Sequence, residues 1–181
     1  MTILNGEVNQ QLTRWQLDRK AYFDRIYAKT GAMFVLAAKS AATLADASET
    51  NLRAIENFGY YTGIAFQIVD DVLDFTSKAS QLGKPVGSDL REGIYTLPVI
   101  LFADRYPEDQ HLKLIHELQD GKHPSVESLI TSIRNSEAID QALAEAANFI
   151  TRGKQALNIL PYSPYTDALS SLAGTIINRA A

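Results

Sequence analysis

Between Gly63 and Phe75 the chain reads GIAFQIVDDVLDF, which sets Gln67, Asp70, Asp71 and Asp74 among apolar side chains. At the helical step of about 100° per residue, Gln67, Asp70 and Asp74 fall on one stripe, with Asp71 one position round from it. Ile64, Phe66, Ile68, Val69, Val72, Leu73 and Phe75 cover most of the remaining circumference, the pattern of a helix surrounded by protein. Acidic residues on a helix are ordinarily a solvated face. These are bracketed instead by Ile, Val, Leu and Phe. Carboxylates withdrawn from water need cations, hydrogen-bond donors or an opening to solvent. An EF-hand does not match, because its acidic residues alternate on a Gly-containing loop that closes with Glu. The cluster therefore points to a hard divalent cation, Mg²⁺, which takes one or two carboxylates and completes its shell with water and phosphate oxygens. A phosphate-bearing substrate follows.

The elements that must position these groups read as helices throughout. Ile3 to Trp15 has helical spacing, and a second helix runs from an Asp18 N-cap to about Ala45, broken only by Gly31. Lys29 and Thr30 lie inside it and, from spacing alone, read as a snorkelling lysine and a β-branched filler. Ser48 caps the helix that carries the aspartates and should reach Phe75 or Thr76. The stretch TSKASQLGKPVGSDLREGIYTLPV that follows is rich in Gly, Ser, Lys and Pro. It suits either a binding loop that brings Lys78 and Lys84 over the carboxylates or a surface linker. Further helices are expected with Pro98 in a first turn, from Pro107 to Leu118, from Pro124 or Ser125 to Arg134, over SEAIDQALAEAANFITRGKQALNIL, and from Asp167 to Arg179. In the SEAIDQ helix, Ile139, Leu143, Ala146, Ala147 and Ile150 share one side. No strand alternation, repeat or low-complexity tract is evident, so the expected fold is all-α, a single domain over residues 1–181.

Composition narrows the function. Of 181 residues 46% are hydrophobic, enough for a buried core, and a net charge of −4 with no basic run argues against nucleic acid. Zero Cys excludes disulfides and thiolate metal sites. The first residues lack the pattern of a signal peptide, and no stretch is apolar for the ~18 residues of a membrane span. The chain reads as a soluble cytoplasmic protein. His111, His116 and His123 read as surface residues.

The run GIAFQIVDDVLDFTSKASQLGKPVGSDLREGIYTLPVI resembles the second aspartate-rich region of the trans-prenyltransferases, the polyprenyl diphosphate synthases: an FQxxDDxLD core, GK, GxDL and TLP in order. The upstream GEVNQ and YAKT look like the same family's preceding helices. The resemblance implies the C-terminal part of an isoprenoid-synthase helical bundle, in which two facing aspartate-rich segments hold three Mg²⁺ ions and an allylic diphosphate. It makes Asp70 a metal ligand, with Asp71 and Asp74 as direct or water-mediated partners. Lys29, Thr30, Gln67 and Lys84 become contacts to the allylic diphosphate. The implied reaction is head-to-tail condensation with isopentenyl diphosphate.

Two departures stand out. Ile94 occupies a place where the family usually has Lys, and the first aspartate-rich motif, with the basic residues that bind isopentenyl diphosphate, does not occur between Met1 and Ala181. The resemblance thus implies a C-terminal portion with little synthase activity alone. It also implies an exposed apolar surface that favours a homodimer or association with an N-terminal portion. The alternative in another class is a non-catalytic partner subunit of a heteromeric synthase. A terpene cyclase relative fits the GK loop and GxDLxxG continuation less well.

Overall fold

Asp18 begins the first described helix as the sequence predicts. Its carboxylate accepts the backbone N–H groups of Lys20 and Ala21 at 2.7 and 3.2 Å, two donors that a helix start leaves without intrahelical partners. The computed structural model describes residues 16–77, 85–105, 113 and 126–179. The expected helices Ile3 to Trp15 and Pro107 to Leu118, the three histidines, Lys78 and Lys84 lie outside the described residues.

The single long helix expected from Asp18 to Ala45 is divided in three: α1 (Arg19–Ile26), a π turn (Tyr27–Gly31) and α2 (Ala32–Leu44). The Ala32 N–H reaches the Tyr27 carbonyl, five residues back, which inserts one residue into the helical register. Packing accounts for the insertion. A Cβ on Gly31 would lie 3.0 Å from the Tyr27 ring and 3.5 Å from Ile64, so the ring folds over the glycine against the next helix.

That next helix, α3 (Glu49–Thr76), starts at a Ser48 whose hydroxyl accepts the Asn51 N–H, and it ends where the sequence predicts. Ile64, Ala65, Ile68, Val69, Val72 and Phe75 are fully buried, making α3 the centre of the core. Each such aliphatic or aromatic side chain contributes about 1.5–3 kcal/mol by leaving water. Gly63 lets α2 approach closely: a Cβ there would stand 2.9 Å from Gly31 Cα and 3.0 Å from Phe34 Cβ.

After α3 the chain returns at Gly87, whose φ of +69° suits glycine and whose N–H donates to the Asp74 carbonyl at 2.8 Å. The GSDLR segment, expected as loop, contains the short helix α4 (Ser88–Arg91). Next come α5 (Leu97–Arg105), with Pro98 in its first turn, α6 (Val126–Arg134) and α7 (Ala138–Leu157). On α7 the expected Ile139, Ala146 and Ile150 are buried, but Ala142 is buried where Leu143 was expected, because small side chains at Ala138, Ala142, Ala146 and Gly153 let it lie close to α3. The last helix, α8 (Pro164–Asn178), begins earlier than the expected Asp167. Ser163 and Thr166 cap one another reciprocally and Pro164 fills the first position, a start signal read as loop in PYSP.

Arg19 of α1 holds Glu145 of α7 with a guanidinium nitrogen 2.6 and 2.7 Å from its two oxygens. No strand occurs among the described residues, and the molecule is all-α as expected. No helix among them is long and apolar enough to cross a membrane.

Candidate functional site

The π turn and the middle of α3 face one another. Thr30 Oγ1 donates to Gln67 Oε1 at 2.6 Å, Gln67 Nε2 donates to Asp71 Oδ1 at 2.9 Å, and the Tyr22 hydroxyl donates to Asp71 Oδ2 at 2.7 Å. This chain fixes the Gln67 amide and both Asp71 oxygens. Of the predicted residues, Thr30, Gln67 and Asp71 are therefore brought together. Lys29 joins them at the wall of a cavity of about 30 Å³, with Arg25, Gln67, Asp71, Asp89, Ile94 and Thr96.

The three aspartates do not converge. Asp71 points inward, Asp74 receives the Ser88 hydroxyl at 3.3 Å and the Asp89 N–H at 3.2 Å, and Asp70 pairs with Arg179 at 2.9 Å. Asp71 and Asp74 are only 3% and 2% exposed, so protein donors supply much of the neutralisation that the sequence assigned to cations. Asp70 is the partly exposed member. Sequence spacing grouped Gln67 with Asp70 and Asp74; the hydrogen bond runs instead to Asp71, the i+4 neighbour.

Burial pushes the Asp71 carboxyl up to about 7, and nearby Asp89 adds to the rise. The bonds from Gln67 and Tyr22 and the charge of Arg25 oppose it. Burial also lowers the Arg25 guanidinium from its usual range, and its Nη2 donates to the Tyr95 carbonyl at 2.6 Å. Thr96 Oγ1 is buried with no hydrogen-bond partner among the described residues.

Several of these groups were not singled out from the sequence: Tyr22, Arg25, Asp89, Thr96 and Arg179. One signal was present. Tyr22, Arg25 and Lys29 are spaced three and four apart, a polar stripe along one face leading into the YAKT motif. Nothing in the sequence pointed to Arg179.

The donor set decides how a metal fits. Among the described residues no group of three acidic or histidine side chains is placed to hold an ion. A cage built from carboxylates alone does not fit these residues. An ion taking one carboxylate, with water and phosphate oxygens completing its shell, does fit Asp70.

The helical bundle is that of an isoprenoid synthase, and the chain belongs to the polyprenyl synthetase family, whose model matches residues 1–133. It is 36% identical over 181 residues to an octaprenyl diphosphate synthase of Haemophilus influenzae, covering 98% of this chain and 55% of that one. It is 33% identical over 176 residues to heptaprenyl diphosphate synthase component 2 of Bacillus subtilis, covering 96% of this chain and 50% of that protein. A crystal structure of heptaprenyl diphosphate synthase from Staphylococcus aureus superimposes with a TM-score of 0.91 at 31% identity, over 99% of this chain and 57% of that one. A polyprenyl synthase from Caulobacter crescentus, described as complexed with calcium and isoprenyl diphosphate, superimposes with a TM-score of 0.89 at 29% identity, over 99% of this chain and 56% of that one. The chain thus spans about half the length of the curated relatives it matches.

Proposed function

We propose that this chain supplies the allylic-diphosphate side of a polyprenyl diphosphate synthase, which joins isopentenyl diphosphate head-to-tail to an allylic diphosphate. The observation that carries the reading is the docking of the Lys29–Thr30 π turn on Gln67, closed by the 2.6 Å Thr30 bond. It gathers an ammonium, a hydroxyl and an amide on one face of the acidic helix, which becomes a donor set suited to a diphosphate once the Thr30 hydroxyl turns from Gln67.

In this reading Asp70 takes Mg²⁺ from the protein side, and Asp71 and Asp74 hold the helix face in place around it. Mg²⁺ supplies positive charge to the departing diphosphate. Lys29 neutralises a phosphate oxygen, Thr30 and Gln67 orient the group, and Lys84 joins from the following segment. As negative charge gathers on the bridging oxygen, those fixed donors lower the barrier to breaking the allylic C–O bond. The isopentenyl double bond then forms the new C–C bond, and loss of a proton restores neutrality. Ile94 lies buried at the cavity wall and brings no charge there, while Arg25 and Lys29 line the same cavity. A cytoplasmic setting is part of the same proposal.

The test is calorimetric titration of the chain with inorganic pyrophosphate in Mg²⁺. Lys29→Ala should weaken binding about tenfold, in line with the loss of one charged hydrogen bond. Unchanged affinity would refute the assignment. The chain alone should show little or no incorporation of labelled isopentenyl diphosphate; ordinary turnover would refute that.

A second reading is a non-catalytic subunit of a heteromeric synthase. It is favoured by likeness to a protein named as component 2 of a heptaprenyl synthase. Pull-down with a full-length synthase separates the two.

A further inference from the structure

The end of α8 brings Arg179 back over the acidic helix. Its Nη2 lies 2.9 Å from Asp70 Oδ1 and its guanidinium carbon 4.8 Å from the centre of the Phe66 ring, one turn before Asp70. Phe66 in turn packs on Phe34 of α2, with ring centres 5.4 Å apart. The guanidinium is thus held at two points, by the Asp70 carboxylate and by the face of the Phe66 ring. Arginine is the side chain whose planar group makes both contacts at once. Sequence position would not suggest this, since 109 residues separate the two partners, the difference between 179 and 70.

We propose that Arg179 is a built-in counter-ion that keeps Asp70 from lone divalent cations and releases it when a diphosphate arrives with the metal. The proposal rests on the reading of Asp70 as the metal-binding carboxylate. A dication placed on Asp70 beside the guanidinium meets a like charge within a few ångströms, so the ion alone must displace Arg179 or bind against its repulsion. A diphosphate reverses the balance, because its oxygens match the guanidinium fork as well as a carboxylate does. Arg179 then exchanges Asp70 for phosphate, and its charge no longer opposes an ion at Asp70. Metal and diphosphate bind as a pair rather than in sequence.

The experiment uses Mn²⁺ alone as the first probe, followed by electron paramagnetic resonance, and inorganic pyrophosphate at saturating Mn²⁺ as the second, followed by calorimetry. Arg179→Gln should bind Mn²⁺ about fivefold more tightly than the parent chain, the range of a partly exposed ion pair, and pyrophosphate about fivefold more weakly. Arg179→Lys, which keeps charge and loses the stacked plane, should fall between. Arg179 is exposed at a helix end, and matching circular dichroism spectra check that the variants fold. If Arg179→Gln leaves either affinity unchanged, the counter-ion role is overturned. Asp70→Asn separates the two levels. With Arg179→Gln as the background, loss of Mn²⁺ affinity on adding Asp70→Asn while Arg179→Gln alone shows no gain sinks the counter-ion alone, whereas unchanged Mn²⁺ binding on adding Asp70→Asn sinks the metal assignment and the counter-ion with it.

Discussion

Asp71 sits within hydrogen-bond reach of two donors that favour its charged form, yet burial and Asp89 raise it to about 7. In an unfolded chain the same carboxyl releases its proton near its ordinary value of about 4. Between those two values the folded state holds more protons than the unfolded one, so this group's contribution to stability falls as pH rises from about 4 to about 7 and is flat above. Urea unfolding at pH 5 and pH 8 should show Asp71→Asn losing less stability on alkalinisation than the parent chain. An equal loss in both would mean the carboxyl does not titrate in that window. The aspartates were legible as chemistry because polar residues interrupt an apolar run, whereas Lys29 and Thr30 read from spacing as a snorkelling lysine and a filler and gained a role only through the family resemblance. Their division of labour was not, since the inward turn of Asp71 depends on Tyr22, 49 residues away.

At the scale of elements, capping signals were the most legible: Asp18 and Ser48 both start helices by the hydrogen bonds their side chains make. The π turn was not, because it is set by the Tyr27 ring seating on Gly31 against Ile64, and periodicity within one segment carries no information about that neighbour. The crossing of α2 and α3 is equally demanding. Gly63→Ala would place a methyl 2.9 Å from Gly31 Cα, a backbone atom that cannot swing aside. A loss of about 1–3 kcal/mol is expected by chemical denaturation, as for other overpacked sites. Because the π turn rests on that crossing, pyrophosphate affinity should fall as well. A variant as stable as the parent would show that the helices part easily. Gly87 makes a second such tie, joining the start of α4 to the end of α3 beside Asp74.

At the scale of the molecule, α2 is apolar yet buries only Ala42, while Met33, Leu36 and Leu44 face outward. Leu36, Thr43 and Leu44 with Lys39 and Ser40 line an open groove of about 470 Å³. Exposed apolar surface of this kind favours association. Sedimentation of the chain should show self-association that the double change Leu36→Lys and Leu44→Lys diminishes; a stable monomer would count against it. The all-α architecture and the family were legible from the FQxxDDxLD run and its continuation, whereas which helix faces remain uncovered is a property of the whole assembly. Arg25 shows what the assembly imposes on heredity. It joins α1 to α3 and to the strand-free approach to α5 by balancing Asp71 and donating to the Tyr95 carbonyl. Removing Arg25 would take away a charge that opposes the rise of the Asp71 carboxyl, together with the bond to the Tyr95 carbonyl. A lineage that drifts away from Arg25 therefore loosens the approach to α5 and favours neutral Asp71 at one stroke, so a change at either position should be felt at the other.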